Sequence, residues 1–174
     1  DINDLLARAP ALPDENLLDE QVSNKVVMIT GAGGSIGGEL CRQVLRRKPR
    51  VLLLYELSEF SLYAMHNELL DSLNKFADEQ GNIIKSELAP IIVPLLGSVA
   101  DENRVSDVIQ AWVPDVIYHA AAVKHVPIVE QNIVECVKTN VAGTLVLAKV
   151  AVISQTPNFI LVSTDKAVNP TNAM

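Results

Sequence analysis

Four apolar residues, Val26 to Ile29, end at Thr30 and run straight into Gly31-Ala32-Gly33-Gly34-Ser35-Ile36-Gly37. A short apolar run without alternation suits a strand buried on both faces. Behind it, Gly31, Gly34 and Gly37 fall in the spacing G-x-x-G-x-x-G, and a helical pattern starts at once. Glycines at such a turn let backbone approach a diphosphate closely. The helix start, with Ser35 and Ile36, offers free N–H groups and the positive dipole end to the phosphates. A glycine triplet alone also describes an ordinary tight turn. The strand before it and the helix after it favour the phosphate cradle.

The rest of the chain repeats this alternation. Ile36, Leu40, Val44 and Leu45 recur at helical spacing, one stripe toward a sheet, and Pro49 closes that helix. Val51 to Tyr55 is a second buried strand, ending at Glu56. Ser58 is a plausible N-cap for a helix whose apolar face holds Leu57, Phe60, Leu62, Met65, Leu69 and Leu70. A polar excursion over 74–90 precedes a third strand, Ile91 to Leu96, in which Pro94 argues for an edge or a bulge. Asp101 opens a helix through Trp112, and Val116-Ile117-Tyr118 forms a fourth strand ending in the small-residue turn His119 to Ala122. Pro127 opens a helical region in which Val134, Val137, Val141, Leu145, Ala148 and Val152 recur at threes and fours, with Asn140 near that stripe. Phe159 to Val162 is the fifth strand, leading into Ser163-Thr164-Asp165-Lys166.

Five apolar runs alternating with four helical patterns predict an α/β fold: a parallel sheet with right-handed crossovers and helices on both faces. Ligands of such sheets bind at the carboxyl ends of the strands. Thr30, Glu56, Ser98, His119 to Ala122 and Ser163 to Lys166 should therefore meet on one edge. Residues 1–24, interrupted by Pro10 and Pro13, are expected to be an arm or linker laid on a domain of residues 25–174.

Glu56 stands 19 residues after Gly37, at the end of the second strand. A carboxylate there can accept both hydroxyls of an adenosine ribose and repel a 2′-phosphate. Leu57 and Ser58 supply no arginine to welcome that phosphate, so NAD is favoured over NADP. A surface glutamate capping the next helix is the plainer alternative. Ala120, Ala121 and Ala122 suit close approach of a cofactor, though small residues also simply pack. The net charge of −7 speaks against a nucleic-acid partner. Arg46, Arg47, Lys48 and Arg50 sit where the first helix of the sheet should end, as dipole complementation would have them. Neither Cys41 nor Cys136 has metal-ligand spacing, so no metal is expected. No uncharged apolar run reaches about 18 residues, so no membrane contact is expected of this stretch. The chain lacks an initiator Met and stops just after a strand, and it is expected to be a piece of a longer protein.

Thr30 to Gly37 resembles the fingerprint of the extended short-chain dehydrogenases/reductases. His119-Ala120-Ala121-Ala122, Asn140 in Thr-Asn-Val-Ala-Gly-Thr, and Ser163 to Lys166 match that family's later motifs in order and spacing. Ala122 to Pro127 and Ser163 to Met174 are similar, more narrowly, to the bacterial UDP-N-acetylglucosamine 4,6-dehydratases of surface-polysaccharide and glycan synthesis. The resemblance covers Lys25 to Met174. It implies a truncated Rossmann-like domain that holds NAD through Gly31, Gly34, Ser35, Ile36, Gly37, Glu56, Ala120 to Ala122 and Asn140. It also implies a UDP-sugar substrate, a homo-oligomer in the full protein, and a cytoplasmic domain tethered to the inner membrane in the larger members.

The implied reaction oxidises carbon 4 of the sugar, removes water across carbons 5 and 6, and returns the hydride to carbon 6. By resemblance, Asp165 is the acid for the departing hydroxyl, Lys166 the base at carbon 5, and Thr164 a hydrogen-bond partner of the oxygen on carbon 4. A free Asp near 3.9 must then hold a proton and a free Lys near 10.4 must lose one. For the lysine this is a depression of roughly 3 pH units, about 4 kcal/mol, within reach of a desolvated site. Without its flanks, the Asp165-Lys166 pair is also what an exposed ion pair in a loop looks like. The wider family carries Tyr where Met174 stands, and a thioether cannot trade a proton. The larger dehydratases share that Met. Ser98 stands where the superfamily often has an Asp near adenine. Lys124 and His125 are candidates for a substrate phosphate and a proton relay, or solvated loop residues; Met174 belongs with them on the substrate side. His119 is read as a hydrogen-bonded residue at a strand end. A nucleotide-sugar epimerase or reductase, and a non-catalytic NAD-binding scaffold, are the competing functions. The stretch alone is expected to be catalytically incompetent.

Overall fold

The computed structural model describes residues 14–79 and 89–164. A helix, α1 (Glu15–Val22), precedes the first strand, β1 (Val26–Thr30). Then follow α2 (Ser35–Arg46), β2 (Val51–Glu56), α3 (Glu59–Glu79), β3 (Ile91–Leu96), α4 (Glu102–Trp112) and β4 (Val116–His119). After a short α5 (Val126–Val129) comes a long helix in three parts: α6 (Ile133–Cys136), a π-helical stretch Val137–Gly143, and α7 (Thr144–Ile153). The last strand is β5 (Asn158–Leu161).

All five strands are parallel, in the order β3-β2-β1-β4-β5. Every residue of β1 is buried, as its unbroken apolar run requires of a central strand. Alternation across the pleat splits the core in two. Val27, Ile29, Leu52 and Leu54 meet Cys41, Val44, Leu45, Leu62, Met65 and Leu69 of α2 and α3. Val26, Met28, Leu53, Tyr55 and Ile117 meet Val105, Val108, Ile109, Leu147, Val150 and Ala151 of α4 and α7. The chain steps outward from β1 to β3 with α2 and α3 on one face. It then crosses back to β4 with α4 and α7 on the other, the arrangement that right-handed crossovers require. The direction reverses between β1 and β4, and a cleft opens there at the carboxyl ends. Pro94 sits on edge strand β3, opposite Leu54, where a missing N–H does least harm.

Caps explain the helix starts. Asp14 accepts from the Asn16 and Leu17 N–H groups at α1, and Asp101 accepts from Arg104 N–H at α4. Arg47, just past α2, reaches Glu15 and Asp19, both at 2.7 Å, and Val22 is buried, so α1 lies against the domain.

The region after Pro127 is not one helix with one buried stripe. Pro127 starts only the single turn of α5, and a new helix begins at Ile133. The apolar residues that recur at threes and fours there face outward: Val134 is 77% exposed, Val141 61% and Val152 77%. The buried line is Cys136, Gly143, Leu147, Val150 and Ala151. The cause is composition: this helix is apolar nearly all round, so periodicity cannot choose a face. Ile133–Ile153 is also long and apolar enough to cross a membrane, which the count of uncharged runs did not anticipate. Its inner line packs on the sheet as a core helix does. Two further residues expected on an apolar helix face, Leu57 and Phe60, are exposed.

Val113 ends α4 in the left-handed region, at φ 46°, and is 64% exposed. A β-branched residue is strained there and has little burial to lose. Replacing Val113 by Gly is expected to raise stability by about 1 kcal/mol, read as a higher denaturant midpoint at unchanged slope.

Candidate functional site

The cleft at the reversal point is a cavity of about 760 Å³. Its wall carries Gly31, Gly34, Ser35, Ile36 and Gly37 after β1, Glu56 and Leu57 after β2, and Gly97 to Val99 after β3. Ala120 to Lys124 follow β4, Asn140 and Thr144 come from the long helix, and Val162 to Thr164 follow β5. The sheet thus brings together the strand-end residues that the sequence scatters over more than 100 positions. His125 lies next door, in a smaller hollow of about 360 Å³ shared with Gly34, Ser35, Ala122, Lys124 and Ile128. Asp165, Lys166 and Met174 lie outside the described residues.

The glycine turn is pressed against its neighbours. Gly31 has φ 68°, and a Cβ there would stand 2.7 Å from Ala121 Cα. At Gly37 a Cβ would fall 2.0 Å from the Gly31 carbonyl oxygen. Gly34 begins α2 with no side-chain cap, so the first N–H groups of the helix are left for something in the cavity. Those N–H groups, the dipole behind them and the absence of Cβ atoms fit a diphosphate. Ile36, half-exposed and off the sheet-facing stripe, lines the same wall.

Glu56 is tied down on three sides. Its Oε1 accepts from Leu57 N–H at 2.9 Å and Ser58 N–H at 3.0 Å, and its Oε2 accepts from Gly33 N–H at 3.0 Å. Both carboxylate oxygens thus already hold backbone donors, and one of about four acceptor positions is left for a ribose hydroxyl. Gly33, absent from the sequence-derived site, is therefore part of it. The signal was only a second glycine inside the turn.

In the cavity wall, His119 is buried and wired at both ring nitrogens. Nδ1 lies 2.7 Å from Thr30 Oγ1, and Nε2 lies 2.8 Å from Thr144 Oγ1. Thr144 Oγ1 donates its own proton to the Asn140 carbonyl at 2.7 Å. It must then accept from Nε2–H, which leaves Nδ1 to accept from Thr30 O–H. One neutral tautomer satisfies the whole chain. Burial pushes the His119 pKa down to about 4. Thr144 belongs to the Thr-Asn-Val-Ala-Gly-Thr motif, but only the sheet order brings it to His119.

Asn140 reaches the cavity from the π-helical stretch, a distortion that often marks functional sites. Its amide holds the turn after β4: Oδ1 accepts from Val123 N–H and Nδ2 donates to Val123 O, both at 2.8 Å. Nδ2 also donates to Cys136 Sγ at 3.3 Å. Asn140 thus grips the backbone between Ala122 and Lys124. On the β2 side, Tyr55 is fully buried, burial raises its pKa to about 12, and its hydroxyl donates to Ser98 O at 2.9 Å. Ser98 Oγ accepts from Ala100 N–H at 3.2 Å. Among the described residues no cluster of three metal-ligating side chains occurs.

A family model described as polysaccharide biosynthesis protein matches residues 27–174. The chain belongs to that family. It is 38% identical over its whole length to the capsular polysaccharide biosynthesis protein CapD of Staphylococcus aureus, covering 27% of that protein. It is 32% identical over 154 residues, 86% of its length, to an inverting UDP-N-acetylglucosamine 4,6-dehydratase of Campylobacter jejuni, covering 39% of it. The chain therefore spans between a quarter and two fifths of these relatives. Among solved structures, Pen from Bacillus thuringiensis superposes with a TM-score of 0.72 at 27% identity, over 88% of this chain and 43% of that one. A UDP-glucose-4-epimerase from Stenotrophomonas maltophila, with bound NAD and formylated UDP-arabinopyranose, has the same fold. Its TM-score is 0.63 at 18% identity, over 82% of this chain and 38% of that one. The family fold is a parallel Rossmann-like sheet with the cavity at its switch point, as the alternation of strands and helices predicted. Relatives of this chain include both dehydratases and epimerases.

Proposed function

We propose that this chain is the NAD-binding part of a UDP-N-acetylglucosamine 4,6-dehydratase acting in surface polysaccharide or glycan synthesis. One observation carries the reading. Thr164 lines the same cavity as the glycine turn, and Asp165 and Lys166 follow it by one and two peptide bonds. The uncapped start of α2 and the glycine turn would hold the diphosphate of NAD, Glu56 the adenosine ribose, and Ala120 to Ala122 the middle of the cofactor. NAD, when bound, supplies the acceptor and later the donor of one hydride. Thr164 would hydrogen-bond the oxygen on carbon 4. Lys166 would take the proton from carbon 5, which a carbon-4 ketone acidifies, and Asp165 would give a proton to the hydroxyl leaving carbon 6; a proton returns to carbon 5 as the hydride reaches carbon 6, and the proton released by the carbon-4 hydroxyl restores the acid. Lys124, exposed on the cavity rim beside His125, is proposed to meet a substrate phosphate. The outward apolar line on the long helix supports a homo-oligomer in the full protein. Proteins of the same fold include epimerases, which share the cofactor half and need no acid at carbon 6.

The test is the product formed from UDP-N-acetylglucosamine by the full-length protein that contains this segment. A 4-keto-6-deoxy sugar with no net consumption of NAD is expected, and Lys166→Ala should lower its formation by about 10²–10⁴-fold. Inversion at carbon 4 without loss of water would establish the epimerase instead. Unchanged substrate despite bound NAD would leave the scaffold.

A further inference from the structure

We propose that Glu56 is a positioning residue for the diphosphate cradle, and that this role stands apart from any contact with a ribose. The inference rests on the cofactor reading above. A carboxylate has about four acceptor positions. Glu56 uses two at Oε1, for Leu57 and Ser58 N–H, and one at Oε2, for Gly33 N–H. A single position remains for a ligand that brings two hydroxyl donors. The Leu57 and Ser58 bonds are local, inside the turn that leads into α3. The Gly33 bond spans 23 residues and joins two separate elements.

That bond completes a row. Gly31 N–H donates to Tyr55 O at 2.8 Å, Ala32 N–H reaches the same oxygen at 3.4 Å, and Gly33 N–H takes the carboxylate. Three successive N–H groups of the turn are thus anchored on the end of β2. Gly34 N–H then turns back to Gly31 O at 3.0 Å. The uncapped N–H groups of α2 begin just beyond. Sterics act with the hydrogen bond: a Cβ on Gly33 would stand 2.4 Å from Ser61 Cβ, so the turn lies directly on the first turn of α3. Glu56 sets where the turn lies, and the turn sets where α2 presents its N–H groups.

The experiment exploits a conflict of sign. Glu56 carries a carboxylate close to a proposed anion site, so the relief of Coulomb repulsion alone should make Glu56→Gln strengthen binding of inorganic pyrophosphate. If the carboxylate braces the turn, the same change should weaken it. The amide places an NH2 group opposite Gly33 N–H or opposite the Leu57 and Ser58 N–H groups, so at least one backbone donor loses its acceptor. Pyrophosphate, ADP and adenosine are titrated calorimetrically into the full-length protein. Amide exchange is followed in the peptide covering 31–37. Glu56→Gln is expected to weaken pyrophosphate by about fivefold or more and to speed exchange in that peptide before any ligand is added. Glu56→Asp keeps the charge but is one methylene too short to span both sides, and should behave alike. It also serves if the Gln variant does not fold. Weaker adenosine with unchanged or tighter pyrophosphate, and unchanged exchange, would overturn the brace and keep the cofactor reading. Failure of the unaltered protein to bind ADP would overturn both.

Discussion

Gly37→Ala is expected to cost about 3 kcal/mol of folding stability and to abolish measurable ADP binding. The methyl group would sit 2.0 Å from the Gly31 carbonyl oxygen and 2.7 Å from its carbon. Both are backbone atoms, and Gly31 is itself held by its N–H on Tyr55 O and by the Ala121 backbone. Nothing there can rotate aside. The turn must open, and the start of α2 moves with it. Gly34→Ala is the informative contrast. Gly34 has an ordinary φ of −78°, and a Cβ there would meet only Gly31 O, at 3.2 Å. Its stability cost should stay within about 1 kcal/mol, while the methyl adds bulk to a residue of the cavity lining and is expected to lower ADP affinity by about tenfold or more. Thermal unfolding and ADP calorimetry on the two variants separate a glycine needed by the fold from one needed by the ligand. Equal stability of Gly37→Ala and the unaltered protein would refute the tight approach.

Acid should destabilise the protein through His119. Its pKa in the folded state is lowered to about 4 from an ordinary value of 6.5, with burial as the cause. The unfolded chain therefore binds more protons than the folded one between those values, and stability rises with pH across that window. The contribution is complete above pH about 6.5 and is lost progressively down to about pH 4. The total is about 3 kcal/mol, from 1.36 kcal/mol per pH unit of displacement. Protonation also removes the Nδ1 acceptor that Thr30 needs. Glu68, held below the usual carboxylate range by Arg42, and Glu39, held low by Gln43 and then Arg42, lose their contributions at lower pH. The window from 6.5 down to about 5 therefore reports on the histidine, before the unfolded glutamates begin to protonate near 4.5. Urea midpoints at pH 7.5, 6, 5 and 4.5 should fall, and His119→Gln should flatten that fall. An identical slope in the variant would remove His119 as its cause.

The strands were legible because parallel strands buried on both faces read as unbroken apolar runs. The turn after β1 was legible because three glycines between such a run and a helix have few other uses. Glu56 was found by its offset from Gly37, but its occupancy was not. The donors on its carboxylate come from Gly33, Leu57 and Ser58 backbone, and backbone donors leave no mark on residue choice. The partners of His119 were hidden for another reason. Thr30 and Thr144 reach it only because β4 lies beside β1 and the long helix crosses above, and strand order is not written in local periodicity. The outer line of that helix was misleading since Val134, Val141 and Val152 repeat as regularly as the buried Leu147, Val150 and Ala151. The π-helical stretch at Asn140 breaks the 3.6-residue period that would have located it. Asp165, Lys166 and Met174 were singled out by resemblance to a family and by nothing in the pattern of the chain.

The seating of the glycine turn against Ala121 bears on the order in which the protein folds. Thr30 and His119 are 89 residues apart, so one wall of the cradle exists long before the other is available. During synthesis β1 meets β2 within about 25 residues but must wait for β4, and contacts closed over such spans form late and slowly. Until then Gly31 has nothing behind it, and the buried edge of β1 is exposed to any passing strand. The proposed ligand cradle is therefore completed only once β4 has joined β1.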